Sequence, residues 1–190
     1  MRRIRDGGAN VMESFYWLIE GVLAGCGRPG GPDRRGHKLW SGGGSIPGPD
    51  DQEQQRIRHA LDNDLAWLAS HGIAAILSLT ETPLATDTIE QYGMEALHLP
   101  IDDLTAPTPE QLDLALAFID RQRAQGRKVA VHCLMGQGRT GTVLAAYLVR
   151  GGATAEAALR ELRAVCPGAV GTPEQERALH AFERRRDWII

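Results

Sequence analysis

Cys133 and Arg139 stand six residues apart in the stretch VHCLMGQGRTGT, which runs from Val131 to Thr142. Two chemistries fit these residue types. Gly136, Gly138 and Gly141 spell G-x-G-x-x-G, the turn that lays a dinucleotide pyrophosphate on a helix N-terminus. Read from the cysteine, the same residues supply a thiol nucleophile, two glycines that let a loop wrap an anion with its N–H groups inward, and a guanidinium fork. A thiol at a helix N-terminus is acidified toward its nucleophilic thiolate. Arginine meets phosphoryl oxygens with two parallel N–H bonds, which lysine cannot do. Thr140 adds a hydroxyl beside the arginine that can stabilise the thiolate when it leaves.

Both readings need a strand, a glycine loop and a helix, so the local context does not separate them. The dinucleotide reading also requires an acidic residue at the end of the next strand, about 20 residues on. The candidates there are Glu156 and Glu161, both inside the helix-forming stretch TAEAALRELRA. The cysteine reading therefore stands. Its chemistry, phosphoryl transfer to sulfur, needs an acid for the leaving oxygen. The segment LPIDDLTAPTPEQ offers Asp102 and Asp103 between a strand and a helix.

The elements that must position these groups follow from pattern. Ser14–Ile19 and Val22–Gly25 predict two short strands around the Glu20-Gly21 turn. Asp50 with Glu53 predicts a capping box, and Ile57, Leu61, Leu65 and Leu68 recur at helical spacing after it. The continuous apolar run Ile73–Leu79 predicts a buried strand, Thr86–Tyr92 a short helix, and Glu95–Pro100 another strand. Thr108-Pro109-Glu110-Gln111 predicts a capped helix to about Gln125, followed by a strand over Lys128–His132. Helices are expected over Thr140–Arg150, Thr154–Val165 and Thr172–Asp187. The alternation implies a single α/β domain around a mostly parallel sheet of about five strands. Residues 1–10 are expected to form a disordered tail, residues 11–190 the catalytic domain, and residues 27–49 a long Gly/Pro-rich loop.

Composition excludes several classes. The formal net charge of −3, without a basic block, speaks against an obligate nucleic-acid partner or an anionic membrane surface. The 43% hydrophobic and 24% charged fractions are those of an ordinary globular domain. No apolar run is long enough to span a membrane. Three widely spaced cysteines make no disulfide framework and suit a reducing cytoplasm; Cys26 and Cys166 read as packing residues. No C-x-x-C or H-E-x-x-H spacing calls for a metal, and no organic cofactor is implied.

The stretch HCLMGQGRTG resembles the H-C-x-x-G-x-x-R-[ST]-G signature of the cysteine-dependent protein tyrosine phosphatase superfamily. CPGAVGTPEQERAL, FYWLIEGVLAGCGRP and ILSLTE extend the resemblance to its small atypical dual-specificity members of bacterial and archaeal type, over about Phe15 to Phe182. One departure stands out: the segment Gly30–Pro49 is longer than the usual connection. The resemblance implies a dual-specificity phosphatase-like fold and hydrolysis of phosphate monoesters on protein Tyr and/or Ser/Thr through a phosphocysteine. It assigns Cys133, Arg139 and Thr140 to catalysis, and Leu134, Met135, Gly136, Gln137, Gly138 and Arg139 to phosphate binding. It places the general acid at Asp103, a thiolate-tuning imidazole at His132, and a water-orienting amide at Gln175, where a helix-capping role also suffices. The implied partner is a phosphorylated protein or peptide. Small-molecule, phosphoinositide and RNA 5′-phosphate substrates form the alternative, and an inactive phosphopeptide-binding module a further one. Leu134, Met135 and Gln137 are uncharged, which favours a singly phosphorylated group.

Overall fold

In the computed structural model, residues 12, 14–31 and 50–187 are described, with side chains to 185. The expected tail over 1–10 and most of the 27–49 loop lie outside the described residues. Five strands form one sheet: β1 (Tyr16–Ile19), β2 (Leu23–Cys26), β3 (Ile73–Ser78), β4 (Glu95–His98) and β5 (Lys128–His132). Their order is β1-β2-β5-β3-β4. Only β1 runs antiparallel to its neighbour, so the sheet is mixed, with a parallel core as expected.

Six helices complete the chain's described part: α1 (Asp51–Ser70), α2 (Thr86–Gln91), α3 (Pro109–Ala124), α4 (Gly138–Arg150), α5 (Ala155–Val165) and α6 (Pro173–Asp187). At α3 the capping box forms in full, Thr108 accepting from the Gln111 N–H and Gln111 from the Thr108 N–H. At α1 the Asp50 carboxylate accepts from the Glu53 N–H at 2.7 Å, half of the expected box. Helix α4 begins two residues earlier than the sequence indicated, because the end of the glycine loop already forms its first turn.

Alternation along the strands divides the core. Val129 and Val131 pack with α3, α4, α5 and α6 on one face, whereas Ala130, Ile76 and Cys26 meet α1 and α2 on the other. Helix α4 is the buried keel, with Val143, Leu144, Ala145, Ala146 and Val149 all fully covered. Truncating a buried leucine of this kind costs about 2–5 kcal/mol.

The connectivity explains where the site lies. The chain leaves β3 through α2 on one face and leaves β5 through α4 on the opposite face. Neighbouring parallel strands whose connections part in this way open a crevice beyond their carboxyl ends. Cys133 follows β5 at that point.

Candidate active site

The loop from Cys133 to Arg139 owes its shape to the outward turn of its carbonyls. The Leu134 carbonyl accepts from the Arg28 N–H at 3.0 Å, and the Gly136 carbonyl from the Tyr16 hydroxyl at 2.8 Å. The Gln137 carbonyl accepts from the N–H groups of Gly141 at 2.9 Å and Val170 at 3.3 Å. The Gly138 carbonyl accepts from the Thr142 hydroxyl at 2.9 Å. Carbonyls engaged in this way leave the loop's N–H groups available to an anion, and α4 begins in the same loop at Gly138. Burial, then the neighbouring Cys166, pushes the Tyr16 phenol well up, so it persists as a neutral donor.

Gly136 is indispensable to this packing. Its φ is +72°, and a Cβ there would lie 2.4 Å from the Cys26 carbonyl carbon and 2.7 Å from the Gly27 nitrogen. Gly138 is tight for a different reason: a Cβ would meet the Gln175 amide nitrogen at 3.0 Å. Of the uncharged loop side chains, Leu134 is half-buried, while Met135 and Gln137 are exposed.

Arg139 is 1% exposed, and its donors divide into two sets. Nη1 donates to the Ile101 carbonyl at 2.7 Å and to Glu81 Oε2 at 2.9 Å. Nη2 meets Asp103 Oδ1 at 2.8 Å. Nε has no partner among the described residues, and neither has the buried Thr140 hydroxyl. Nη1 also lies 3.4 Å from the Leu79 carbonyl, so of the guanidinium's three nitrogens it is Nε whose donor is left over. A buried donor without an acceptor is costly unless a ligand supplies one. The unpartnered Nε is a donor that an anionic ligand could take, on the loop that starts at Cys133, itself 3% exposed.

Glu81, which sequence reasoning missed, joins the two halves of the site. Besides its bond to Arg139, its Oε1 accepts from the Asp103 N–H at 2.9 Å. Burial pulls its carboxyl upward, but hydrogen bonds from its own backbone N–H and from Arg139, with the Arg139 charge, outweigh that and hold it below the usual value. The signal was the acidic residue closing ILSLTE, just beyond β3.

His132 is fully buried behind Cys133. Its Nδ1 lies 3.3 Å from the Cys133 carbonyl, which can only accept, so Nδ1 carries the proton. Nε2 then accepts from the Ser78 hydroxyl at 2.6 Å. Burial lowers the imidazole to about 3, so it is neutral at physiological pH.

The structure separates the two aspartates. Asp103 reaches Arg139, whereas Asp102 is exposed and its carbonyl accepts the Thr105 N–H and hydroxyl at 3.2 and 2.8 Å, a local turn. Gln175 is 1% exposed, with its amide donating to the Thr105 carbonyl at 2.9 Å and accepting from the Gly171 N–H at 3.1 Å. Its neighbour Glu176 pairs with Arg163 at 2.5 Å at the surface. Cys26 and Cys166 are buried as expected.

A family model described as "Polymorphic toxin system, DSP-PTPase phosphatase" matches residues 52–153, a span holding Asp103, Cys133, Arg139 and Thr140. An uncharacterised protein of Methanocaldococcus jannaschii is 39% identical over 101 residues, covering 52% of this chain and 67% of that one. A phosphatidylglycerophosphate phosphatase of Arabidopsis thaliana, PTPMT2, is 31% identical over 126 residues, or 64% of this chain and 55% of its own length. The chain thus spans little more than half of that plant relative. The solved structure of Tk-PTP in its active form superposes with a TM-score of 0.69 at 31% identity, over 92% of this chain and 99% of that one. The kinase-associated phosphatase, at 22% identity and a TM-score of 0.68, shares the fold. Among the described residues no helix is long and apolar enough to cross a membrane.

Proposed function

The chain belongs to the DSP-PTPase phosphatases described for polymorphic toxin systems, and from that premise we propose that it hydrolyses phosphate monoesters on protein tyrosine and/or serine and threonine in the cytoplasm. The observation that carries this reading is the buried Arg139 guanidinium with an unpartnered Nε, on the same loop as Cys133, whose carbonyls at Leu134, Gly136 and Gln137 are taken by donors outside the loop. The phosphoryl oxygens take the guanidinium donors and the loop amides, a preorganised cradle that needs no rearrangement as charge shifts in the transition state. The Cys133 thiolate attacks phosphorus in line with the departing oxygen, the P–O bond breaks, and the phosphoryl group rests on sulfur. The incoming phosphoryl oxygen displaces the Asp103 carboxylate from Arg139 Nη2; Asp103, once released, takes up a proton from solvent and gives it to the leaving alkoxide or phenoxide. Asp103 next takes a proton from water, whose oxygen attacks the phosphocysteine. Thr140, through its unpartnered hydroxyl, stabilises the thiolate as it leaves. His132 holds the Cys133 carbonyl and so the start of the loop.

The choice of a singly phosphorylated side chain rests on Leu134, Met135 and Gln137, none of which brings a cation to the mouth for further phosphates. A lipid monophosphate is the second reading, favoured by the 31% identity to the plant phosphatidylglycerophosphate phosphatase. The test measures kcat/KM on phosphotyrosyl and phosphothreonyl peptides and on phosphatidylglycerophosphate in mixed micelles. The protein reading expects a phosphopeptide to be the best substrate. A lipid preferred by about tenfold or more, near 1.4 kcal/mol in transition-state binding, would reverse it.

A further inference from the structure

The segment between β4 and α3 carries Asp103, and it is anchored before that residue by the buried Ile101. Leu104 is 70% exposed and sits at a φ of +63°, a left-handed conformation costly for a residue with a branched side chain. Such a segment keeps one geometry only where neighbours over-determine it. Arg139 holds it at the Ile101 carbonyl and at the Asp103 carboxylate, and two further side chains from outside it, Glu81 and Gln175, hold its backbone at Asp103 and Thr105. Glu81 accepts the Asp103 N–H at 2.9 Å while bound to Arg139. Two residues further on, Gln175 donates to the Thr105 carbonyl at 2.9 Å.

Gln175 is itself rigidly seated. Its N–H donates to the Thr172 hydroxyl at 3.2 Å and its amide oxygen accepts from Gly171 at 3.1 Å. Its amide nitrogen rests where any Cβ on Gly138 would come within 3.0 Å. It thus touches the phosphate loop, the segment before α6 and the acid segment at once. We propose that Gln175 is a positioning residue for proton delivery: with Glu81 it clasps the acid segment on both sides of Asp103 and fixes the carboxyl over the phosphate loop. This rests on the reading of Asp103 as the general acid.

The clasp and the water-orienting role act on different steps. A clasp acts on departure of the leaving group, which kcat/KM reports. A water-orienting amide acts on hydrolysis of the phosphocysteine, which comes after the leaving group has gone, so it changes kcat and the burst but not kcat/KM. Gln175→Glu separates them with little change of shape, since a carboxylate still accepts from Gly171 but cannot donate to Thr105.

The experiment compares wild type, Gln175→Glu, Gln175→Ala and Asp103→Asn on phenyl phosphate and on 4-nitrophenyl phosphate, whose leaving group departs more readily. Inhibition by inorganic phosphate and thermal melting serve as checks on the loop and the fold. The clasp predicts that both Gln175 variants keep phosphate inhibition. It predicts that they lose about tenfold in kcat/KM on phenyl phosphate, part of the ~10²–10⁴-fold that general-acid catalysis supplies, and much less on the nitrophenyl ester. Asp103→Asn should show the same asymmetry, larger. Unchanged kcat/KM with lowered kcat and a larger burst in the Gln175 variants overturns the clasp in favour of water orientation. Equal losses on both esters, or lost phosphate inhibition, reduce Gln175 to a packing residue and overturn it too. If Asp103→Asn lacks the asymmetry, the acid assignment fails, and the clasp fails with it.

Discussion

Lowering the pH should loosen this protein through His132 before Glu81 responds. The imidazole is fully buried, donates to the Cys133 carbonyl and accepts from Ser78, and burial holds it at about 3 against 6.5 in the unfolded chain. Between those values the unfolded state binds a proton that the folded state refuses. Stability is therefore intact above pH 6.5 and falls as the pH drops toward 3. Linkage gives a loss on the order of 1 kcal/mol at roughly pH 5.5 and about 3 kcal/mol at roughly pH 4.5, relative to neutrality. For a domain of this size each kcal/mol moves the melting point by about 2–4 °C, so Tm should drop by about that much near pH 5.5. Glu81, depressed in the folded state, adds its own loss only at lower pH, as the medium passes below the unfolded carboxyl value toward its folded one. The assay is thermal unfolding of wild type and His132→Gln across this range. The variant starts from a lower Tm, since it loses a buried bond, but its acid slope should be shallower by the amounts given. Parallel curves for the two proteins would refute the claim that His132 is held neutral in the fold.

Two substitutions test the loop itself. Gly136→Ala must place a methyl 2.4 Å from the Cys26 backbone at a φ of +72°, so it should abolish both turnover and inhibition by inorganic phosphate, and cost several kcal/mol in denaturant unfolding; retained phosphate inhibition would show that the loop does not need the close approach. Arg139→Lys leaves Glu81 and Asp103 around a single ammonium with no planar fork, so kcat/KM on an aryl phosphate should fall by about 10³-fold, comparable to losing an oxyanion donor, and a variant keeping half its activity would remove the bidentate role.

The sheet and its site were legible to different depths. The apolar runs Ile73–Leu79 and Lys128–His132, and the capped helix at Thr108, were plain in the sequence because burial on both sheet faces and helix capping each leave a local pattern. Cys133 and Arg139 could be read for the same reason: one loop and one helix turn hold both. Glu81 lies 58 residues from Arg139 and meets it because β3 and β5 are neighbours, with the Leu79 N–H bonded to the His132 carbonyl at 2.9 Å. Strand order is not written in periodicity, so its role was hidden. Tyr16 read as one aromatic among several in a strand, yet its hydroxyl reaches Gly136 across 120 residues of chain. Gln175 was legible as a helix-start residue, and its backbone N–H does meet Thr172 there. Its reach to Thr105 depends on how α6 packs against the acid segment, a tertiary fact without local signature. The choice between Asp102 and Asp103 came from resemblance; their environments differ because a turn at Asp102 directs the next side chain toward Arg139.

The central claim is that phosphorus passes through the sulfur of Cys133. Wild-type protein mixed with an excess of 4-nitrophenyl phosphate, quenched in acid within the first turnovers and digested, gives peptides whose masses report the acceptor directly. The account predicts one added phosphoryl group on the peptide bearing Cys133, released on a chase in buffer, and no such adduct on Cys133→Ser, which should neither turn over nor lose its fold. A phosphoryl group on another residue, or normal turnover by Cys133→Ser, would contradict it.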